Sequence, residues 1–367
     1  MSAIWKHKSG KTHGVLGLCC FAMFAGMSGP TVAADSDSID LRYRSYRQWT
    51  INLPSFKWFE VKDGIKIAHA KGDRFAVAVE GNSLRFDTNG DGKLDRTIKP
   101  LVDRVTNVST SRVVLSGKTK KGAAFRYAIR LQKDARGWEW APGGAMSGTI
   151  KGDAGPIPIR IIDQNGDGSF DDIGIDSMIV GSGDEAVFLS ETIVVDNKLR
   201  KISITPEGNR ITVTAYSGPT TKFDMTTSFN ANGALLSAIV RSTDGKNSFD
   251  FGGSDGPLEI PAGDYEFVAG AVGLAQHRVK IGTGRMHPFK LGADQQQTLK
   301  WGGPVQAEFT FARAGDKVQF SPANIWYYGQ AGEEYFNWTP QGKSPEYKVI
   351  NAGTGALFRV AVCPGST

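Results

Sequence analysis

After residue 34, apolar and polar residues alternate with a period of two along most of this chain, and no stretch of a dozen residues carries the spacing of an amphipathic helix. Such a pattern suits strands with one face buried and leaves little room for helices. In "DRFAVAVEGNSLRF", Phe75, Val77 and Val79 fall on one side before a turn at Glu80-Gly81-Asn82 leads into a second short strand. In "AFRYAIRL", Phe125, Tyr127, Ile129 and Leu131 alternate with Arg126, Ala128 and Arg130. "LRKISITPEGNRITVTAY" places two alternating runs around Pro206-Glu207-Gly208-Asn209, which is hairpin chemistry. The expected class is mainly β, built of two or three β-sandwich modules.

The N-terminal segment stands apart from that pattern. Lys6, Lys8 and Lys11 precede an apolar run from Val15 to Met27 and a small-residue site at Val32-Ala33-Ala34, the composition of a secretory signal peptide cleaved before Asp35. A membrane-spanning helix needs about 20 apolar residues, more than this run provides, so no transmembrane segment is expected after cleavage. Removing three lysines and no acids takes the formal charge from +6 to +3. The remaining sequence has no Lys/Arg cluster interleaved with aromatics, which argues against a nucleic-acid partner. Cys363 is the only cysteine after residue 34, so no internal disulfide can form, and stability must come from apolar cores or bound metal.

Gly/Pro-rich stretches at 148–160, "GTIKGDAGPIPIR", and 251–263, "FGGSDGPLEIPAG", suggest modules at 35–150, 151–255 and 256–367. The first stretch reads equally well as a loop inside one larger domain. "PLEIPAGDYEFVAGAV" resembles the opening of Ig-like or transthyretin-like β-modules, where a turn at Ala262-Gly263-Asp264 launches a strand. That resemblance implies an Ig-like C-terminal module.

Two acidic loops carry the strongest chemical signal, "DTNGDGKL" at 87–94 and "DQNGDGSF" at 163–170. A hard cation such as calcium takes six to eight oxygens, and a short loop supplies them when ligands recur at alternate positions. The first loop offers Asp87, Asn89, Asp91, the carbonyl of Lys93, and Asp95 at the ninth position; the second offers Asp163, Asn165, Asp167, the carbonyl of Ser169, and Asp171. Gly92 and Gly168 hold the sixth position, where the chain turns sharply. The pattern resembles the calcium loops of EF-hands, dockerin modules and thrombospondin type 3 repeats over about nine residues, twice. It departs from the EF-hand at the twelfth position, where a bidentate Glu is replaced by Ile98 and Gly174, and in its flanks, which read as strands. A calcium staple between strands fits better than a helix-loop-helix sensor, with Asp172, Asp176, another loop or water supplying the missing ligand. Turn chemistry alone accounts for residues 89–92 and 165–168. It leaves unexplained the mutual repulsion of Asp87, Asp95, Asp163 and Asp171.

Catalytic signatures are scarce. His69, His277 and His287 show no metal-ligand spacing, and no Gly-x-Ser-x-Gly elbow follows residue 34. "GWEWAPGG", with Trp138 and Trp140, and "NIWYYGQAGEEYFNWTP", with Trp326, Glu333, Glu334 and Trp338, could form a sugar-binding face, but core filling is the simpler use of these rings. The sequence therefore reads as an exported calcium-binding β-protein of the periplasm, cell surface or medium, with no enzymatic role and a protein or polysaccharide partner. The alternative is a carbohydrate-binding protein or carbohydrate-active hydrolase using the late aromatic cluster.

Overall fold

The computed structural model describes residues 36–62, 64–72, 74–99, 101–102, 109–315, 317–336 and 346–362. The expected signal peptide, Trp338 and Cys363 lie outside these residues. Strands account for all the regular structure among the described residues, and no helix there is long and apolar enough to cross a membrane.

Alternation dictates how the strands pack. In Ala124–Asp134, the side chains of Tyr127, Ile129 and Leu131 are buried, and the neighbouring strand Ser109–Lys118 sets Leu115 opposite Tyr127 and Val113 opposite Ile129. Each such side chain contributes about 1.5–3 kcal/mol when fully removed from water. These two strands, with Gly137–Pro142, Phe59–Glu60 and Leu101–Val102, form one five-stranded sheet. The expected polar face of Ala124–Asp134 is also covered: Ala128 is buried and Arg130 half-buried, because residues 43–58 cross over them. The Tyr43 hydroxyl accepts the Ala128 amide at 2.8 Å, and Arg130 lies over the Trp49 ring.

A second five-stranded sheet runs in the order Val187–Phe188, Ser177–Val180, Gly155–Ile162, Gly144–Gly152, Arg42–Ser45. Residue 150 lies within one of these strands, and the Gly/Pro-rich stretch 148–160 is the hairpin joining two of them. The other expected hairpins form at their turns: Val77–Glu80 with Ser83–Phe86, and Lys198–Ile204 with Arg210–Ala215. The strand Gly263–Leu274 starts at the turn that the sequence marks, and anchors an eight-stranded sheet.

Two large apolar cores result. One draws on residues from Leu41 to Ile239, including Trp138 and Trp140, and the other on residues from Phe223 to Tyr335, including the fully buried Trp301. The Gly-rich stretch around residue 255 joins Ser248–Asp250 to Leu258–Pro261 within the second group.

Candidate metal centre

Both acidic loops connect consecutive antiparallel strands. Residues 87–95 link Ser83–Phe86 to Arg96–Ile98, with Phe86 opposite Arg96, and residues 163–176 link Gly155–Ile162 to Ser177–Val180, with Ile162 opposite Ser177. The strand flanks expected from the sequence are present, and the strands fix where each loop enters and leaves.

The loops share one internal conformation. Their fourth and sixth residues are glycines with left-handed backbones, Gly90 and Gly92 at φ 76° and 83°, Gly166 and Gly168 at 73° and 86°. Glycine adopts that conformation without the penalty a side chain would bring. In the first loop the Asp87 carboxylate accepts the amides of Gly90 at 2.7 Å and Gly92 at 2.8 Å. In the second the Asp163 carboxylate accepts those of Gly166 and Gly168, both at 2.6 Å. The correspondence continues along each loop: Asn89 Oδ1 takes the Asp91 amide and Asn165 Oδ1 the Asp167 amide, while Asp91 and Asp167 take the amides of Lys93 and Ser169. Amides converging in this way form a small electropositive nest around the leading carboxylate.

The leading aspartates are deeply placed, each 1% exposed, whereas Asp91, Asp95 and Asp167 are exposed. Each of the four carboxylates that turn chemistry left unexplained has a donor within the protein. Asp95 takes the Thr88 amide and hydroxyl, Asp171 takes the Ser169 hydroxyl, and Asp87 and Asp163 take the loop amides. Among the described residues no group of three or more His, Cys, Asp or Glu side chains is gathered closely enough to hold a metal by itself. Any cation here would therefore draw on the Asn and carbonyl oxygens too, and on carboxylate lone pairs beyond those used by amides.

The second loop is the more embedded. The Tyr127 hydroxyl donates to Asp163 Oδ2 at 2.6 Å, Ala68 donates its amide to the Asp167 carbonyl, and Phe170 donates to the Pro206 carbonyl. The His69 ring bonds to the Gly168 carbonyl through Nδ1. Asp176 is fully buried beside the loop, taking the amides of Gln164 at 3.1 Å and Asp172 at 3.3 Å, and Asp172 accepts from the Asn165 side chain at 3.0 Å. Burial pushes the Asp163 carboxyl up to about 7 against the pull of the Tyr127 hydroxyl and the two amides. Burial, reinforced by the charges of Asp163 and Asp172, raises Asp176 to about 9. The ion pairs among the described residues include no carboxylate of either loop.

Position twelve offers no carboxylate in either loop. Ile98 is part of the apolar core, and Gly174 packs so tightly that a Cβ would lie 2.3 Å from the Gly245 carbonyl oxygen. Tyr127 and His69 carry no local signal for these contacts. Alternation places Tyr127 among the core aromatics, and nothing local announces that its hydroxyl meets an aspartate 36 positions later.

Elsewhere, in the late aromatic cluster, the two adjacent glutamates differ in burial, Glu334 being half-buried. Glu333 is fully buried and takes the Gly302 amide, the Ala331 amide and the Tyr335 hydroxyl, while Trp326 is half-buried. Comparison with protein-family models, curated proteins and solved structures gives no match.

Proposed function

We propose that this chain is an exported, calcium-binding β-protein of sandwich-type, Ig-like modules, in which the cation fastens neighbouring strands. Its role is then binding or structural, at the cell surface, in the periplasm or in the medium, toward a protein or polysaccharide. The observation that carries the reading is the repeated loop conformation, with a buried leading aspartate beneath the amides of positions four and six in both copies. The buried pair Asp163 and Asp176, without an ion-pair partner among the described residues, adds an electrostatic reason for a cation at the second loop. Carboxylates buried together are costly unless something positive compensates them.

Calcium would take Asp87, Asn89, Asp91, the Lys93 carbonyl and Asp95 in one loop, and Asp163, Asn165, Asp167, the Ser169 carbonyl and Asp171 in the other, with Asp172 or Asp176 completing the second. A ligand that binds only the folded form stabilises it by about 2.7 kcal/mol per site at a hundredfold excess over its dissociation constant. Thermal melts in calcium should therefore lie above melts in EDTA, and superimposable curves would refute the staple. Titration calorimetry on Asp87→Ala and Asp163→Ala should show the tighter event lost with Asp163. Loss of the tighter event with Asp87 instead would reverse the ranking of the loops.

A further inference from the structure

Among the described residues Arg130 is in no ion pair with a carboxylate. Its Nε donates to the Pro142 carbonyl at 2.9 Å, and its buried Nη2 has no hydrogen-bond partner among the described residues. Three aromatic rings surround it, with the guanidinium carbon 4.1 Å from the Trp49 centroid, 5.1 Å from Phe56 and 5.2 Å from Trp58. Directly across the ladder stands Arg112, whose Nη2 donates to the Ser45 hydroxyl and whose buried Nε is also unpartnered among the described residues. The two arginines are thus cross-strand neighbours, and neither is in an ion pair among the described residues. Burial lowers Arg130 to about 10, a sign that its charge is poorly compensated. Aromatic faces offset part of that cost, but a full counter-charge offsets more.

Arg130 also lines a cavity of about 590 Å³, together with Trp49, Phe56, Arg278, Lys280 and Phe336. The ionisable residues of its lining are Arg130, Arg278, Lys280 and Glu185. Glu185 is already engaged, accepting from Arg278 at 2.8 Å and from the Asn52 side chain at 2.7 Å, which leaves Arg130 and the exposed Lys280 as the cations in excess. Phe56 and Phe336 are 47% and 43% exposed, so flat apolar rings are presented beside those charges.

We propose that this cavity binds an acidic saccharide, the carboxylate of a uronic residue compensating Arg130 and the C–H face of its ring lying on Phe56, with Lys280 holding a second anionic residue. With Nη2 buried and Nε bonded to Pro142, the guanidinium meets the carboxylate as a charge at the edge that lines the cavity, not through a two-toothed fork. An aromatic rim covers the apolar face of a pyranose, and a cavity of this size suits a short oligosaccharide. This site does not depend on the calcium reading, since none of its residues belongs to either acidic loop.

Calorimetry at one fixed calcium concentration, with digalacturonate, a neutral galactose disaccharide and inorganic phosphate as probes, tests the assignment. Digalacturonate should bind, and lose at least tenfold in affinity in Lys280→Gln and in Phe56→Ala, two exposed positions whose variants should keep the wild-type melt. Arg130→Gln, which removes the charge, should weaken binding further. Equal binding of the neutral disaccharide would remove the role of charge. Phosphate binding as tight as digalacturonate would reduce the cavity to a simple anion site, and no binding of digalacturonate would overturn the proposal.

Discussion

Asp163 shows how one side chain can tie stability to pH. Its carboxyl is raised to about 7 and that of Asp176 to about 9, burial being the first cause in both. An unfolded aspartate titrates near ~3.9. Between that value and the folded ones, the native pair holds protons that the unfolded chain has already released, and the protons belong to the pair rather than to either residue. The stability this contributes is full below about 4 and is lost as pH rises through the folded values. In EDTA, the melting temperature should therefore fall from pH 5 to pH 8 by several degrees, ~2–4 °C for each kcal/mol lost in a chain of a few hundred residues. Asp163→Asn with Asp176→Asn should flatten that slope. An unchanged slope would mean that other groups set it. Calcium, which needs the ionised carboxylates, should offset the loss more at pH 8 than at pH 5.

At the scale of the element, two loops of one conformation meet different surroundings. A Cβ on Gly92 would meet nothing within 4 Å, whereas one on Gly168 would lie 2.6 Å from Ile67 Cγ2 and 2.8 Å from the Ala68 nitrogen. Gly92→Ala should cost only the left-handed backbone penalty, about 1–2 kcal/mol. Gly168→Ala adds overpacking, for a total of about 2–5 kcal/mol. Denaturant midpoints of the two variants would compare them, and equal losses would show that the second loop yields freely. The contrast also explains what the sequence could tell. Strand flanks, turns and loop spacing are local, so alternation and Asx-Gly patterns expose them. The Tyr127 contact to Asp163 and the seat of His69 on Gly168 are long-range, and no periodicity encodes them. Alternation sets Arg130 on the face opposite Tyr127, as found, but does not reveal that this face is covered, because the residues that cover it carry little regular pattern.

For the molecule as a whole, the two loops act on a common segment. Residues 64–72 and 74–76 lack a continuous ladder, and Ile65 and Phe75 pair only through an isolated bridge. The second loop holds this segment at Ala68 and His69. The first holds it at Ala76, whose carbonyl takes the Asp87 amide, while Lys71 bonds to the Lys118 carbonyl between them. Loops far apart in sequence thus hold one strap, the second near its middle and the first at its end.

That strap carries Lys66, Lys71 and Arg74 on its exposed side, with Lys62 just before it. Backbone with few ladder bonds is where a protease first finds an open conformation. Trypsin should leave the calcium-loaded protein whole and, in EDTA, cut it within residues 62–74 before anywhere else, as the masses of the first fragments would reveal. Equal digestion with and without calcium would show that the amide bonds alone hold the strap. Where calcium runs short, a protein built this way would be lost by a single early nick, so its lifetime among proteases would follow the ion supply around it.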